Sequence, residues 1–353
     1  MTEALSAPPR EGIAPRPSRA AERERKRWTG VLVLTGTLAV VVVLSIVFGT
    51  KSLALAQVWH GIWSPSGTEG DIIVRNLRLP RTALAVTAGA ALGVAGALMQ
   101  GHTRNPIADP VLLGVSAGAG LFVTGGIFLL GVTTLYGYVW FGFLGAMLAS
   151  VLVYLVSALS KGGATPVTLA LAGAAVHALF TALTAGVVIF DQQALDVYRF
   201  WTVGSVSGRT LELTVQMLPF VGVGLLLAAV NAPGLNALSL GEDVARALGV
   251  RIGLTRFTGM AAITLLTGVA VAACGPIGFV GLMATHIGRS FTGPDYRWVL
   301  GYAALLGAIL MVGADILGRL VARPGELPVG IMLAFLGAPL FIYLVRRRKP
   351  VRL

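Results

Sequence analysis

The chain has 353 residues, of which 56% are hydrophobic and 12% charged, with a mean hydropathy of +0.82 and a formal net charge of +12. A soluble globular chain carries roughly 25% charged residues, so there is too little polar surface to cover a water-soluble body of this size. Soluble enzymes, DNA-binding domains and disordered chains are therefore poor readings. Nor does the positive charge point to nucleic acid. Residues 1–28 hold seven Lys/Arg against four Asp/Glu, residues 346–352 hold five Lys/Arg and no acid, and these two ends supply +8 of the +12. Basic ends on an apolar body are the pattern of cytoplasmic anchors on a membrane protein.

The first 28 residues, with Pro8, Pro9, Pro15, Pro17 and a charged run at 23–27, cannot bury a core and read as a tail. Residues 31–50 follow without a charge, long enough to cross roughly 30 Å of hydrocarbon. Ala54-Leu55-Ala56 resembles a cleavage site, but the apolar run exceeds the usual signal core of about 7–15 residues, so an uncleaved span is expected. Nine further apolar stretches follow, at 82–100, 111–130, 139–159, 168–190, 213–230, 257–273, 278–287, 299–317 and 329–345. The 278–287 piece is too short to span unaided at about 1.5 Å per residue and reads as a broken or re-entrant helix held inside protein. Counting it gives ten crossings, which puts both basic tails on one side. In that topology the inner segments hold 19 Lys/Arg and the outer segments 8, which favours both ends in the cytoplasm. One outer loop goes against the trend: residues 51–81 carry Lys51, Arg75, Arg78 and Arg81 against two acids.

The fold class expected is thus an all-α polytopic membrane protein of about ten transmembrane helices. A ten-helix domain at 29–345 lies between disordered basic cytoplasmic tails at 1–28 and 346–353. Gly89-xxx-Gly93 and Gly114-xxx-Gly118 predict close helix packing. Cys274, the single cysteine, reads as a small buried hydrophobe. No phosphate-binding G-x-x-x-x-G-K-[ST] loop and no Cys/His metal spacing occurs in the sequence, so no nucleotide, metal or other cofactor is expected in this subunit. Acids are scarce in the spans, Asp315 being the nearest, which argues against an ion-coupled carrier. His177 in the fifth span and His286 beside Arg289 read as structural, since neither has a nucleophile or carboxylate pair beside it. A membrane enzyme acting on lipid lacks its catalytic cluster, and no catalytic residue is expected.

Five stretches carry a resemblance. They are Arg78-Leu-Pro-Arg81 leading into Ala88-Gly-Ala-Ala-Leu-Gly-Val-Ala-Gly96; Asn105-Pro-Ile-Ala-Asp-Pro-Val-Leu-Leu-Gly-Val-Ser-Ala-Gly118; Leu240-Gly-Glu-Asp-Val-Ala-Arg-Ala-Leu-Gly249; Gly275-Pro-Ile-Gly-Phe-Val-Gly281 running to His286-Ile-Gly-Arg289; and Glu326-Leu-Pro-Val-Gly330 followed by Leu336-Gly-Ala-Pro-Leu340. In this order and spacing they resemble the FecCD/BtuC-type permeases, the transmembrane subunits of type II ABC importers for ferric siderophores, haem and vitamin B12, over roughly residues 30–345. Thr285 departs from the proline common in the family before the histidine.

The resemblance implies a permease subunit, not an enzyme, in the bacterial cytoplasmic membrane. Its partners would be a second permease, identical or paralogous, two ABC ATPases that bind ATP and Mg, an extracytoplasmic binding protein, and membrane lipid. Ferric siderophore is the leading substrate, with haem and cobalamin as alternatives and an ion-coupled secondary transporter as a lower one. It also implies that Arg78, Arg81 and Arg319 receive carboxylates of the binding protein, a task suited to the paired donors of arginine. The segment Leu240, Gly241, Glu242, Asp243, Val244, Ala245, Arg246, Ala247, Leu248, Gly249 is implied as the coupling element for the ATPase, with Glu242, Asp243 and Arg246 at the contact. Val244, Ala247 and Leu248 share one helical face at i, i+3, i+4 spacing. A cytoplasmic gate is implied near Ala164, Thr165 and Pro166. An outer vestibule is implied near residues 192–201 and the tenth span.

Overall fold

The structure is a computed structural model that describes residues 19–347 except 52, 113, 133 and 161–164. Among the described residues fourteen α-helices follow in chain order. They are α1 (Arg19–Val47), α2 (Leu55–Trp63), α3 (Glu69–Ile72), α4 (Leu79–Thr103), α5 (Val115–Leu130), α6 (Leu135–Ala158) and α7 (Pro166–Phe190), then α8 (Gln192–Thr202), α9 (Leu211–Leu238), α10 (Glu242–Ala247), α11 (Ile252–Cys274), α12 (Val280–Thr292), α13 (Tyr296–Val321) and α14 (Val329–Arg347). A π-helical stretch, Ile73–Arg78, joins α3 to α4. Each of the ten apolar stretches has its helix: α1, α4, α5, α6, α7, α9, α11, α12, α13 and α14. Among the described residues seven continuous helical segments are long and apolar enough to cross a bilayer. Helix α5, at 16 residues, α12, at 13, and α14 fall short of that measure. Helix α12 is tolerated because it is inside protein: Val280, Leu282, Met283, Ala284 and Thr285 are buried, so its ends need not reach either surface.

Helix α4 is the axis of the molecule, with 78% of its apolar stretch buried against 6% for α1. Small residues make that possible. Gly89 and Gly93 face Gly307 and Ala303 of α13 so closely that a methyl group on either would run into the opposite backbone carbonyl, and Gly96 meets Gly281 of α12 in the same way. Gly118 of α5 likewise abuts Gly145 of α6. Without a hydrophobic drive between helices in lipid, such backbone approach and the dispersion contacts it permits are what hold the bundle. Cys274 is buried at the end of α11.

Two boundaries differ from the sequence reading. Helix α1 begins at Arg19, so the tail boundary at residue 28 is corrected: residues 19–28 are helical. The cause is local. Arg27 donates to the carbonyl of Thr292 at 2.7 Å, Tyr302 donates to the carbonyl of Arg27 at 2.7 Å, and Trp28 meets Trp298 edge-on at 5.2 Å. Residues 1–18 and 348–353 lie outside the described residues. Helix α9 runs on to Leu238 through Pro219 and Pro233, beyond the expected end at 230. Prolines cost less within helices packed in membrane proteins, where neighbours and local adjustments re-satisfy the freed carbonyls.

Candidate functional site

The basic outer loop folds into a charge cluster at the start of α4. Helix α1 ends there with carbonyls that have no helical donor, and arginines from distant elements supply donors. Arg78 Nη1 donates to the carbonyls of Ile46 (2.7 Å) and Val47 (2.6 Å), and its Nη2 to that of Lys51 (2.5 Å). Arg319 Nη1 donates to the carbonyls of Ser45 (3.0 Å) and Phe48 (2.8 Å), and Arg323 Nη2 to that of Gly49 (2.7 Å). These cations also sit at the negative end of the α1 dipole.

Arg81, on the first turn of α4, grips Asp315 of α13 through Nε (2.9 and 3.0 Å) and Nη2 (2.7 Å), while its Nη1 reaches Glu326 at 2.6 Å. The other side of Asp315 meets Arg319 Nη2 at 3.0 Å. Arg78, Arg81, Asp315 and Arg319 are all buried. The remaining basic residues of the loop are also engaged: Arg75 Nε donates to the carbonyl of Gly61 at 2.7 Å, and Lys51 pairs with Glu69 at 2.5 Å.

The structure thus brings Arg78, Arg81 and Arg319 together and gives each partners within the chain. Their guanidiniums line a cleft of about 120 Å³ that also includes Thr50, Lys51 and Glu326. Four arginines (78, 81, 319, 323) face two carboxylates there (Asp315, Glu326), so the cluster keeps an excess of positive charge. The sequence did not reveal Asp315, Glu326 and Arg323 as members, because their positions are more than 200 residues from Arg81 and no local pattern marks them.

At the other end of α4, Arg104 Nη2 donates to the carbonyl of Leu238 at 3.0 Å, the last residue of α9. The segment Leu240–Gly249 follows directly. Its short helix α10 closes with a Schellman motif: the N–H of Gly249 donates to the carbonyl of Arg246 (2.9 Å) and that of Val250 to the carbonyl of Ala245 (3.0 Å). Gly249 takes φ +78°, which a side chain would strain. Ala245 is buried against Ala237, Leu238 and Ile252. The outer side shows Leu240, Val244 and Leu248, which are 64%, 46% and 63% exposed. Ala247 is exposed as well.

Asp243 and Arg246 are exposed and bonded to each other at 3.1 Å. Glu242 differs from expectation. It turns inward to Arg256 of α11 at 2.6 Å and pins the helix rather than extending from it. Helix α4 has 25 residues and is roughly 37 Å long, with the arginine cluster at its first turn and Arg104, bonded to Leu238 ahead of this apolar platform, at its other end.

The other expected sites are placed as follows. Ala164 lies outside the described residues. Thr165 N-caps α7, its Oγ1 accepting from the N–H of Thr168 at 3.2 Å, and Pro166 is the first residue of that helix. Residues 192–201 form α8, which exposes Phe200 and buries Trp201. Asp109, in the α4–α5 loop, accepts from the N–H groups of Val111 (2.9 Å) and Phe279 (3.0 Å) and so ties two of the five quoted motifs together. Burial pushes its carboxyl above the ordinary range, and the two donors pull it back. His102 bonds Asn231 at 3.0 Å. Thr285 is buried within an uninterrupted α12, and its hydroxyl has no partner among the described residues.

Comparison with known proteins agrees with this architecture. The model of the FecCD transport family matches residues 37–347. The ferric enterobactin transport system permease protein FepD of Escherichia coli is 42% identical over 320 residues, covering 90% of this chain and 94% of FepD. The Fe(3+)-citrate import system permease protein YfmD of Bacillus subtilis is 40% identical over 309 residues, covering 88% and 92%. A solved metal-chelate type ABC transporter in an inward-facing conformation superposes with a TM-score of 0.80 at 29% identity, covering 91% of this chain and 99% of that one. By family match, relatives and fold together, this chain belongs to the FecCD transport family and is a multi-pass membrane permease subunit of an ABC importer.

Proposed function

We propose that the chain carries a ferric chelate of the siderophore type inward, as one half of a permease pair whose termini are cytoplasmic. A loaded extracytoplasmic binding protein presents carboxylates to the cleft over Arg78, Arg81 and Arg319. Two ATPases, which bind ATP and Mg, seat on the platform of Leu240, Val244 and Leu248. The observation that carries this reading is the pairing of these two features at opposite ends of α4. An electropositive cleft at one end suits an acidic partner. Apolar side chains standing out from a pinned base at the other suit a partner with a complementary groove. Helix α4, interlocked by glycines with α12 and α13, links the two rigidly, and packed elements of this kind switch between discrete arrangements.

The ion-coupled alternative needs a carboxylate free to bind and release its ion within the bundle. Asp315 is held between Arg81 and Arg319 instead. The ferric substrate is supported by the relatives FepD, of ferric enterobactin transport, and YfmD, of Fe(3+)-citrate import. The test is uptake into liposomes carrying this permease, its partner permease and the ATPases, with the binding protein outside. Ferric siderophore uptake that depends on ATP supports the assignment. Haem or cobalamin uptake in its place would overturn the chelate, and gradient-driven uptake without the ATPases would overturn the class.

A further inference from the structure

A groove of about 320 Å³ opens between α9 and α13. Val94 of α4 lies at its floor, Leu225, Ala228 and Ala232 of α9 form one wall, Leu300 and Gly301 of α13 form the other, and Arg297 stands at one end. Both walls are helices long and apolar enough to span the bilayer. The space is open at Gly301, where a Cβ would meet no atom within 4 Å.

Arg297 is the second residue of α13 and is exposed. Only its backbone is engaged: its N–H donates to Asp295 Oδ1 at 3.1 Å, and its guanidinium has no partner among the described residues. The nearby acid is already used. Asp295 Oδ1 accepts from Asn236 at 2.7 Å, and its Oδ2 lies 3.7 Å from Arg27. A cation on the first turn of a 26-residue helix also sits against the positive end of the helix dipole. Both features leave an anion wanted at the end of the groove. Pro233 adds a further polar point, since it has no N–H for the carbonyl of Ala229, and Ala229 lines the groove.

We propose that this groove is a binding site for an anionic phospholipid. One acyl chain lies along the alanine and glycine wall and the phosphate pairs with Arg297. A zwitterionic lipid would fill the groove but brings its own cation beside the phosphate and so offers Arg297 no net negative charge, and a protein helix is too wide for a channel of this volume.

The test uses the full chain in detergent with equimolar phosphatidylglycerol and phosphatidylcholine of matched acyl chains, with retained lipid counted by native mass spectrometry. The parent chain is expected to retain phosphatidylglycerol in preference. Arg297→Gln should cut that retention about fivefold, the factor one basic residue contributes toward anionic lipid, and leave phosphatidylcholine unchanged. Gly301→Leu, or Ala304→Leu if the first variant is poorly folded, should fill the groove and reduce the same retained population. Equal retention of the two lipids by the parent chain, or unchanged phosphatidylglycerol retention in either Arg297→Gln or the filling variant, overturns the proposal.

Discussion

The two ends of α4 are built on opposite principles. At one end charge is buried and largely engaged within the chain, with arginine in surplus: Arg81 and Arg319 share Asp315, and Arg78 closes the frayed end of α1. At the other, apolar side chains are left in the open on a six-residue helix held by one buried alanine and one ion pair. The first arrangement is costly to disturb and contributes mainly to the fold. The second contributes little to the fold and is free to contribute to binding. A motif of charged residues is therefore a poor guide to which groups are available, whereas exposed leucines on a pinned turn are a good one.

The largest effect that separates the two ends comes from breaking the buried cluster. Arg81→Ala leaves Asp315 half-compensated and Glu326 without its guanidinium, and removing one partner of a buried pair costs about 3–5 kcal/mol. The variant should purify poorly and melt early in detergent. Wild-type melting would mean the cluster is wet and weak, and the docking role would then be all it has. Next, Gly93→Leu should cost about 1–3 kcal/mol by forcing α4 off α13, read as the same shift in thermal melting; a neutral result would contradict the close approach.

At the α10 end the sign reverses. Leu248→Glu should leave melting unchanged but lower ATPase affinity about tenfold or more, as expected for a central apolar contact, with uptake falling in step. Normal uptake by this variant would remove α10 as the seat. The smallest effect is expected for Glu242→Gln, which weakens the clamp to Arg256. A partly exposed pair of this kind contributes about 0–1 kcal/mol, so ATPase binding should persist while chelate moved per ATP declines. Equal loss of binding in Glu242→Gln and Leu248→Glu would erase the distinction between pin and platform.

These contrasts also show what the sequence made legible. All ten apolar stretches correspond to helices, because hydropathy is set residue by residue. Gly89 and Gly93 met their partners on α13 because small-residue spacing is local too, whereas of the second pair only Gly118 lies on its helix, Gly114 being the left-handed residue that precedes α5. The start of α1 was misplaced because Arg27 and Trp28 are held by Thr292, Tyr302 and Trp298, contacts no local pattern reveals. The arginine motif was found, but its inward orientation depends on carbonyls of residues 46–51 and on acids at 315 and 326. Glu242 reads as polar surface until Arg256 is seen beside it. The short α2, Leu55–Trp63, and the π-helical entry to α4 had no expectation at all, since that loop was read only for its charge.

The central claim is that this chain transmits motion supplied from one end to a path whose cargo is delivered at the other, and has no energy source of its own. The direct measurement is ferric siderophore uptake by reconstituted liposomes, with ATP hydrolysis and an imposed ion gradient supplied separately. Uptake that requires ATP and the ATPase subunits, is indifferent to the gradient and is lost in Leu248→Glu is the predicted result. Accumulation driven by the gradient in liposomes lacking the ATPases would contradict the account.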